Sequence, residues 1–170
     1  MNLIMRNIIV ILSLIVLSGC LATTKDINIT TLGQLDKRDL RFMVYVEAPA
    51  KIKATETRLL LTLSQQDDVL RQEALSLKLL GIEHIEKFNG MFAFDIDYNG
   101  QLLSLDSAGQ AMFDQLKQQY PDALFRFDIE PRFVDLPNKD TMYFSVAVRL
   151  TRAGDFEDMT GNQIIDVPRD

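Results

Sequence analysis

The chain has 170 residues, a formal charge of −6, one cysteine and no tryptophan. This length fits one folded domain with a sizeable core, and an acidic chain without a Lys/Arg cluster lacks the electrostatic footprint of a nucleic-acid-binding protein. Because Cys20 is the only cysteine, an intramolecular disulfide and a multi-cysteine metal site are both excluded.

The first nineteen residues have the three parts of a secretory signal. Arg6 supplies a positive charge, residues 8–17 form an apolar run, and small residues precede Cys20. The apolar run is too short for a helix that crosses a bilayer. We therefore predict that residues 1–19 are a signal peptide outside the fold.

The end of this segment, Leu17-Ser18-Gly19-Cys20, resembles the lipobox that signal peptidase II recognises in bacterial lipoproteins. That resemblance implies cleavage before Cys20, diacylation of its thiol and acylation of the new amino terminus. The implied partner is a membrane, bound through the lipid on Cys20. Leu21 stands where lipoproteins retained in the inner membrane usually have Asp. The resemblance thus favours the periplasmic face of the outer membrane over the inner membrane.

The remaining chain divides into three predicted parts. Residues 20–38 show neither a helical nor a strand period and predict an acylated tether. A single domain follows over residues 39–151, and residues 152–170 predict an irregular tail. At the start of the domain, alternation over residues 40–46 predicts a half-buried strand, and the apolar run 59–63 predicts a more deeply buried one.

Residues 64–80 fit two different structures. As a helix, the segment has a capping pattern at Ser64 and a Gly at position 81, where a left-handed cap belongs. As a hairpin, residues 65–68 form the turn, and three leucines between 75 and 79 alternate with other residues. The pattern slightly favours the helix, and the hairpin stays open.

The second half of the domain predicts a hairpin, a helix and another hairpin. Asn99-Gly100 lies between alternating runs, which is a strong hairpin signal. Ser107 with Gln110 forms a capping-box pattern before an amphipathic helix that ends near Pro121. Residues 125–129 and 142–150 then alternate on either side of a turn at 136–138.

These elements predict an α+β fold. We expect an antiparallel sheet of about five to seven strands with one or two helices packed on one face.

One stretch has the spacing of a calcium-binding loop. Asp95, Asp97 and Asn99 occupy positions 1, 3 and 5, Gly100 occupies position 6, and Asp106 occupies position 12. The residues before it have a period of two, and Asp106 replaces the bidentate Glu of such loops. Both departures favour a hairpin with solvated Asp side chains, so these four residues are minor candidates and no metal is predicted.

Candidate catalytic residues are few. His84 is the only histidine and lies between two Glu residues, and the carboxylates of Asp155, Glu157 and Asp158 form one loop cluster. A lone histidine cannot complete a four-ligand zinc site, and no serine has the context of a hydrolase nucleophile. Both features predict solvated surface residues. We predict a protein without enzymatic activity and without a cofactor.

Two partial resemblances concern the second half of the chain. Its order of hairpin, helix and strand up to Glu130 resembles the carboxy-terminal domains of TonB-like proteins. Its Phe-Asp-x-Asp and Gly-Gln-Ala-Met-Phe-Asp-Gln-Leu sequences resemble the start of OmpA-like peptidoglycan-binding domains, whose later ligand-binding turn and helix are missing here. The OmpA-like resemblance implies a peptidoglycan-associated lipoprotein.

The sequence therefore predicts a lipid-anchored lipoprotein of the cell envelope that faces the periplasm. The expected role is an accessory, assembly or protein-binding factor with an envelope protein as partner. Two alternatives remain. One is a module that binds a small ligand, a lipid or calcium, and the other is a peptidoglycan-associated lipoprotein.

Overall fold

The computed structural model describes residues 31–66, 68–85 and 96–168. The chain begins there with a 3-10 turn, Leu32–Gln34, and contains one α-helix, α1 (Ser107–Gln119). The strands are β1 (Arg41–Glu47), β2 (Lys51–Ile52), β3 (Arg58–Gln65), β4 (Asp68–Ile85), β5 (Tyr98–Leu105), β6 (Leu124–Glu130), β7 (Phe133–Val134), β8 (Thr141–Arg149), β9 (Glu157–Asp158) and β10 (Gln163–Asp166).

Eight of these strands form one antiparallel sheet. Its order is β10-β8-β1-β5-β4-β3-β6, with β9 also pairing with β8, while β2 and β7 form a separate two-stranded ribbon. The predicted antiparallel sheet with a helix is confirmed in outline. The sheet has more strands than expected because β9 and β10 add two short ones.

The core lies on one face of this sheet. In β1, β3 and β8 every second side chain is buried, as expected when one face of a strand packs inward. Phe42 of β1 meets Phe127 of β6 edge to face, with ring centroids 5.4 Å apart. Because β1 and β6 are not neighbours in the sheet, this contact requires the sheet to curl around its buried face.

The segment 64–80 is part of a hairpin, so the favoured helix was wrong. Leu75 lies opposite Leu59 of β3, and Leu77 lies opposite Leu105 of β5. All four of these side chains are buried. The burial of leucines at every second position against two neighbouring strands outweighs the helical propensity of the segment.

Strand β4 changes partner along its length. Residues 68–76 pair with β3, and residues 77–85 pair with β5. The register skips one residue in each half, at Leu70 and at Leu80, which is the pattern of a β-bulge.

The predicted turn at Asn99-Gly100 is also wrong, because both residues lie inside β5. The buried side chain of Asn99 donates to the carbonyl of Ala50 at 2.8 Å and to that of Pro49 at 3.3 Å. Gln101, two residues on, accepts from Ile52 N at 2.5 Å and donates to Ile52 O at 3.0 Å. Asn99 therefore has a buried role that its turn propensity does not reveal.

The predicted hairpin of residues 125–129 with 142–150 does not form. These residues belong to β6 and β8, which lie in different parts of the sheet, β6 beside β3 and β8 beside β1. The chain between them forms β7, which pairs with β2. Both strands were predicted correctly, but their pairing was not, because alternation does not reveal a partner.

Both ends of the domain extend past the predicted bounds. Leu32 and Leu35, in the segment assigned to the tether, are fully buried, and Lys117 of α1 donates to Leu35 O at 2.6 Å. The segment assigned to an irregular tail contains β9 and β10, and the buried Val167 follows β10. The packed domain thus begins by Leu32 and includes most of the tail.

The helix α1 packs against β4, β5 and the 3-10 turn, so it covers only part of one side of the sheet. Its buried side chains are Phe113 and Leu116. Gly109 in its first turn lies so close to β4 that an added Cβ would be 2.4 Å from the Ser76 carbonyl oxygen. Only glycine fits this approach without a shift of the backbone.

We predict that Gln101→Ala lowers the free energy of unfolding by about 3 kcal/mol. The change leaves the buried N–H and C=O of Ile52 without their partners and opens a cavity beside them. Urea unfolding measures the effect. The matched control is Gln118→Ala on the exposed side of α1, which should stay within about 0.5 kcal/mol of wild type. Equal effects of the two changes would contradict the proposed role of the Gln101 side chain.

Candidate functional site

The second half of β4 exposes three apolar side chains, Leu79, Leu80 and Ile82, which we call the β4 apolar surface. Between 41% and 52% of each is exposed. Leu79 and Ile82 lie in register with buried residues of β5, so they point towards the core side of the sheet. They are exposed because β3 ends its pairing at Ser76 and no longer flanks β4 there.

The backbone beside this surface is a strand edge. Among the described residues, positions 77–85 pair with β5 on one side, and no strand pairs with the other side. Apolar side chains next to open N–H and C=O groups suit the addition of an extended peptide strand. The β4 apolar surface and its strand edge are therefore suited to binding.

A second feature is a cavity of about 240 Å³ on the opposite face of the sheet. It lies beside the segment 156–162, whose β9 residues pair with β8. Phe156 in this segment packs under the guanidinium group of Arg149 at 5.3 Å. The lining residues are Tyr45, Tyr98, Ser145, Val146, Ala147, Phe156, Asp158 and Asn162.

Both tyrosines of the cavity stay protonated over the neutral pH range. Burial raises the pKa of Tyr45, and the negative charge of Glu83 raises it further. Burial also raises the pKa of Tyr98, with contributions from Glu47 and Tyr143. Phenol groups held in this state donate hydrogen bonds and do not act as bases.

The calcium candidates do not come together around one ion. Asn99 and Asp106 lie at opposite ends of β5, about 23 Å apart at the rise of an extended strand. The Asn99 amide is occupied by backbone carbonyls, and Asp97 is exposed. Asp95 lies outside the described residues. Within the described ranges, no three His, Cys, Asp or Glu side chains are placed to share a metal.

Asp106 has a different role, as the N-cap of α1. Its Oδ1 accepts from Gly109 N at 2.8 Å and from the Ser76 hydroxyl at 2.6 Å. These hydrogen bonds lower the pKa of Asp106, and the one from the Gly109 backbone has the largest effect. The predicted cap at Ser107 is therefore displaced by one residue.

The candidate catalytic residues come from two strands and a loop. His84 lies in β4 opposite Asn99, and its side chain is outside the described part of the structure. Glu157 and Asp158 form β9, and Asp158 Oδ1 accepts from the backbone N–H groups of Thr160 and Gly161. Asp155 is exposed. The carboxylate of Asp158 thus holds a turn that the sequence did not indicate.

The predicted signal peptide and Cys20 also lie outside the described residues. In the part of the chain that the structure describes, no helix has the length and apolar character needed to cross a bilayer.

Comparisons with known proteins do not add a family to this description. No protein-family model matches the chain, and no curated protein or solved structure matches it.

Sequence reasoning missed the β4 apolar surface and the cavity. One signal for the first was available, since Leu79, Leu80 and Ile82 interrupt the alternation of the preceding residues. The cavity had no such signal, because its lining comes from three strands and a segment that was predicted to be irregular.

We predict that Asp106→Ala lowers the free energy of unfolding by about 1 kcal/mol at neutral pH, through loss of the helix cap. Ser107→Ala, the control, should change it by less than about 0.5 kcal/mol. Thermal or urea unfolding distinguishes the two positions. A larger effect of Ser107→Ala than of Asp106→Ala would contradict the Asp106 cap and favour Ser107 as the N-cap.

The contribution of the Asp106 cap to the free energy of unfolding should depend on pH. Because the pKa of Asp106 in the folded protein lies below its ordinary value of 3.8, its charge stabilises the fold above about pH 4. This contribution is lost as the pH falls through the folded pKa. The stability difference between wild type and Asp106→Asn should therefore stay constant from about pH 7 to pH 5 and shrink as the pH falls below about 4.

Proposed function

We propose that this protein is a lipid-anchored envelope lipoprotein whose folded domain faces the periplasm and binds a partner protein. The anchor is the acylated Cys20, and the binding region is the β4 apolar surface beside its open strand edge. The proposed activity is accessory or assembly binding, without chemical turnover.

The observation that carries the binding role is the exposure of Leu79, Leu80 and Ile82 on one short stretch of strand. Each large apolar side chain left in water costs free energy that a partner's contact would recover. An extended peptide segment suits this site because its backbone can complete the ladder of β4 while its side chains cover the three residues.

The second candidate function is small-ligand binding. The cavity between Tyr45, Tyr98 and Phe156 favours it, because its apolar and aromatic walls suit a ligand with one ring. A small molecule retained through purification and detected by native mass spectrometry would favour this function over protein binding.

For the anchor, we predict that the mature protein begins at Cys20 and carries acyl chains there. Mass spectrometry of the amino-terminal peptide measures this directly. Cys20→Ser should block acylation and cleavage at this position, leaving uncleaved precursor or soluble periplasmic protein. An unmodified Cys20, or a mature start at another residue, would refute the anchor.

For the binding role, we predict that a photo-crosslinking amino acid at Ile82 yields a discrete adduct with a second protein in intact cells. Ile164 on β10 is a matched control, since it is an isoleucine with 63% of its surface exposed on another strand. The same probe at Ile164 should give no such adduct. Equal adducts at both positions, or none at Ile82, would contradict binding at β4.

A further inference from the structure

A second group of exposed apolar side chains lies at the other end of β4. Val69, Leu70 and Leu124 form it, and we call it the hairpin patch. Val69 is 68% exposed, the highest value among the exposed large apolar residues. Val69 and Leu70 lie at the start of β4, and Leu124 lies at the start of β6.

The register of the sheet brings the three residues together. Ser64 of β3 lies opposite Val69 on one side and opposite Leu124 on the other. With strands about 4.8 Å apart, the Cα atoms of Val69 and Leu124 are separated by about 10 Å on the same face. Leu70 is the bulged residue next to Val69. Val69 and Leu124 therefore flank Ser64 on one face of the sheet, with Leu70 next to Val69 in the chain.

The chain enters the domain beside this patch. Leu32 N donates to Ala123 O at 3.0 Å, and Gly33 N donates to Pro121 O at 2.7 Å. These hydrogen bonds fix the first packed residues against the loop that leads directly into Leu124. Eleven residues separate Cys20 from Leu32, so the two cannot be more than about 40 Å apart in any conformation.

We propose that the hairpin patch rests on the surface of the bilayer that holds the lipid of Cys20. This inference rests on the proposed lipid anchor. The short connection keeps the patch at a high effective concentration near the lipid, so a weak apolar contact is enough to orient the domain. The β4 apolar surface begins ten residues after Val69 along the same strand, so it lies away from the membrane.

The charges near the patch indicate which lipid surface it suits. Asp68 and Asp122 are exposed beside it, while Arg71 and Arg126 are paired with Glu73 and Asp128. Asp68 and Asp122 form no ion pair within the described ranges and are repelled by anionic lipid. The lipid surface that fits is therefore zwitterionic, as with phosphatidylethanolamine.

The absence of tryptophan from the chain allows a direct test with Val69→Trp in the full acylated protein. Reconstituted into vesicles of phosphatidylethanolamine and brominated phosphatidylcholine, this variant should show strong quenching and a blue shift of its emission. Replacing part of the phosphatidylethanolamine by phosphatidylglycerol should weaken both effects. Leu124→Trp is a second reporter of the same patch and should behave alike.

The matched control is Ile164→Trp, whose parent residue is exposed to a similar extent but lies on β10, at the other edge of the sheet. It should remain unquenched. Protein that floats with vesicles while Val69→Trp and Leu124→Trp stay unquenched, or are quenched no more than Ile164→Trp, overturns the contact alone. Protein that does not float and has an unmodified Cys20 overturns the anchor, and the contact with it.

Discussion

The backbone hydrogen bonds of β4 hold the two parts of the sheet together, because its first half pairs with β3 and its second half pairs with β5. On one side of β4 lie β3 and β6, and on the other lie β5, β1 and β8. The offset between β3 and β5 leaves each half of β4 with a different neighbour. The same offset leaves the β4 apolar surface uncovered, so the feature that joins the sheet also creates its exposed surface.

The core face of β5 carries two amide side chains where apolar ones would be expected. Asn99 and Gln101 bind the backbone of residues 49–52, which has little regular pairing of its own. Each buried backbone group left without a partner costs about 1–3 kcal/mol, so amides with both donors and acceptors suit this position better than leucine. They hold the β2–β7 ribbon against β5, and Gln101 lies opposite Ile82 of β4.

The sequence was informative where one face of an element alone decides its pattern. Strands β1, β3 and β8 and the helix α1 were located from their apolar periods, since each buries a single face. The prediction for segment 64–80 was wrong because its leucines fit both a helical and a strand period. Only the pairing of Leu75 with Leu59 decides between them. The turn predicted at Asn99-Gly100 was wrong because the buried hydrogen bonds of Asn99 outweigh its turn propensity. The β4 apolar surface was missed because, among the described strands, none flanks the second half of β4 opposite β5, and this depends on the sheet order. The cavity was missed because three strands and a later segment line it.

The bulge at Leu80 also affects how the gene can change. The residue has no partner in the β4–β5 register, and Gly81 onward pairs as if it were not there. Loss of one codon between Lys78 and Leu80 can therefore be absorbed by removal of the bulge, with Ile82 and Glu83 keeping their faces. In a regular strand, the same deletion would move every following side chain to the opposite face. This stretch of β4 is thus a place where the length of the chain can vary without loss of the sheet.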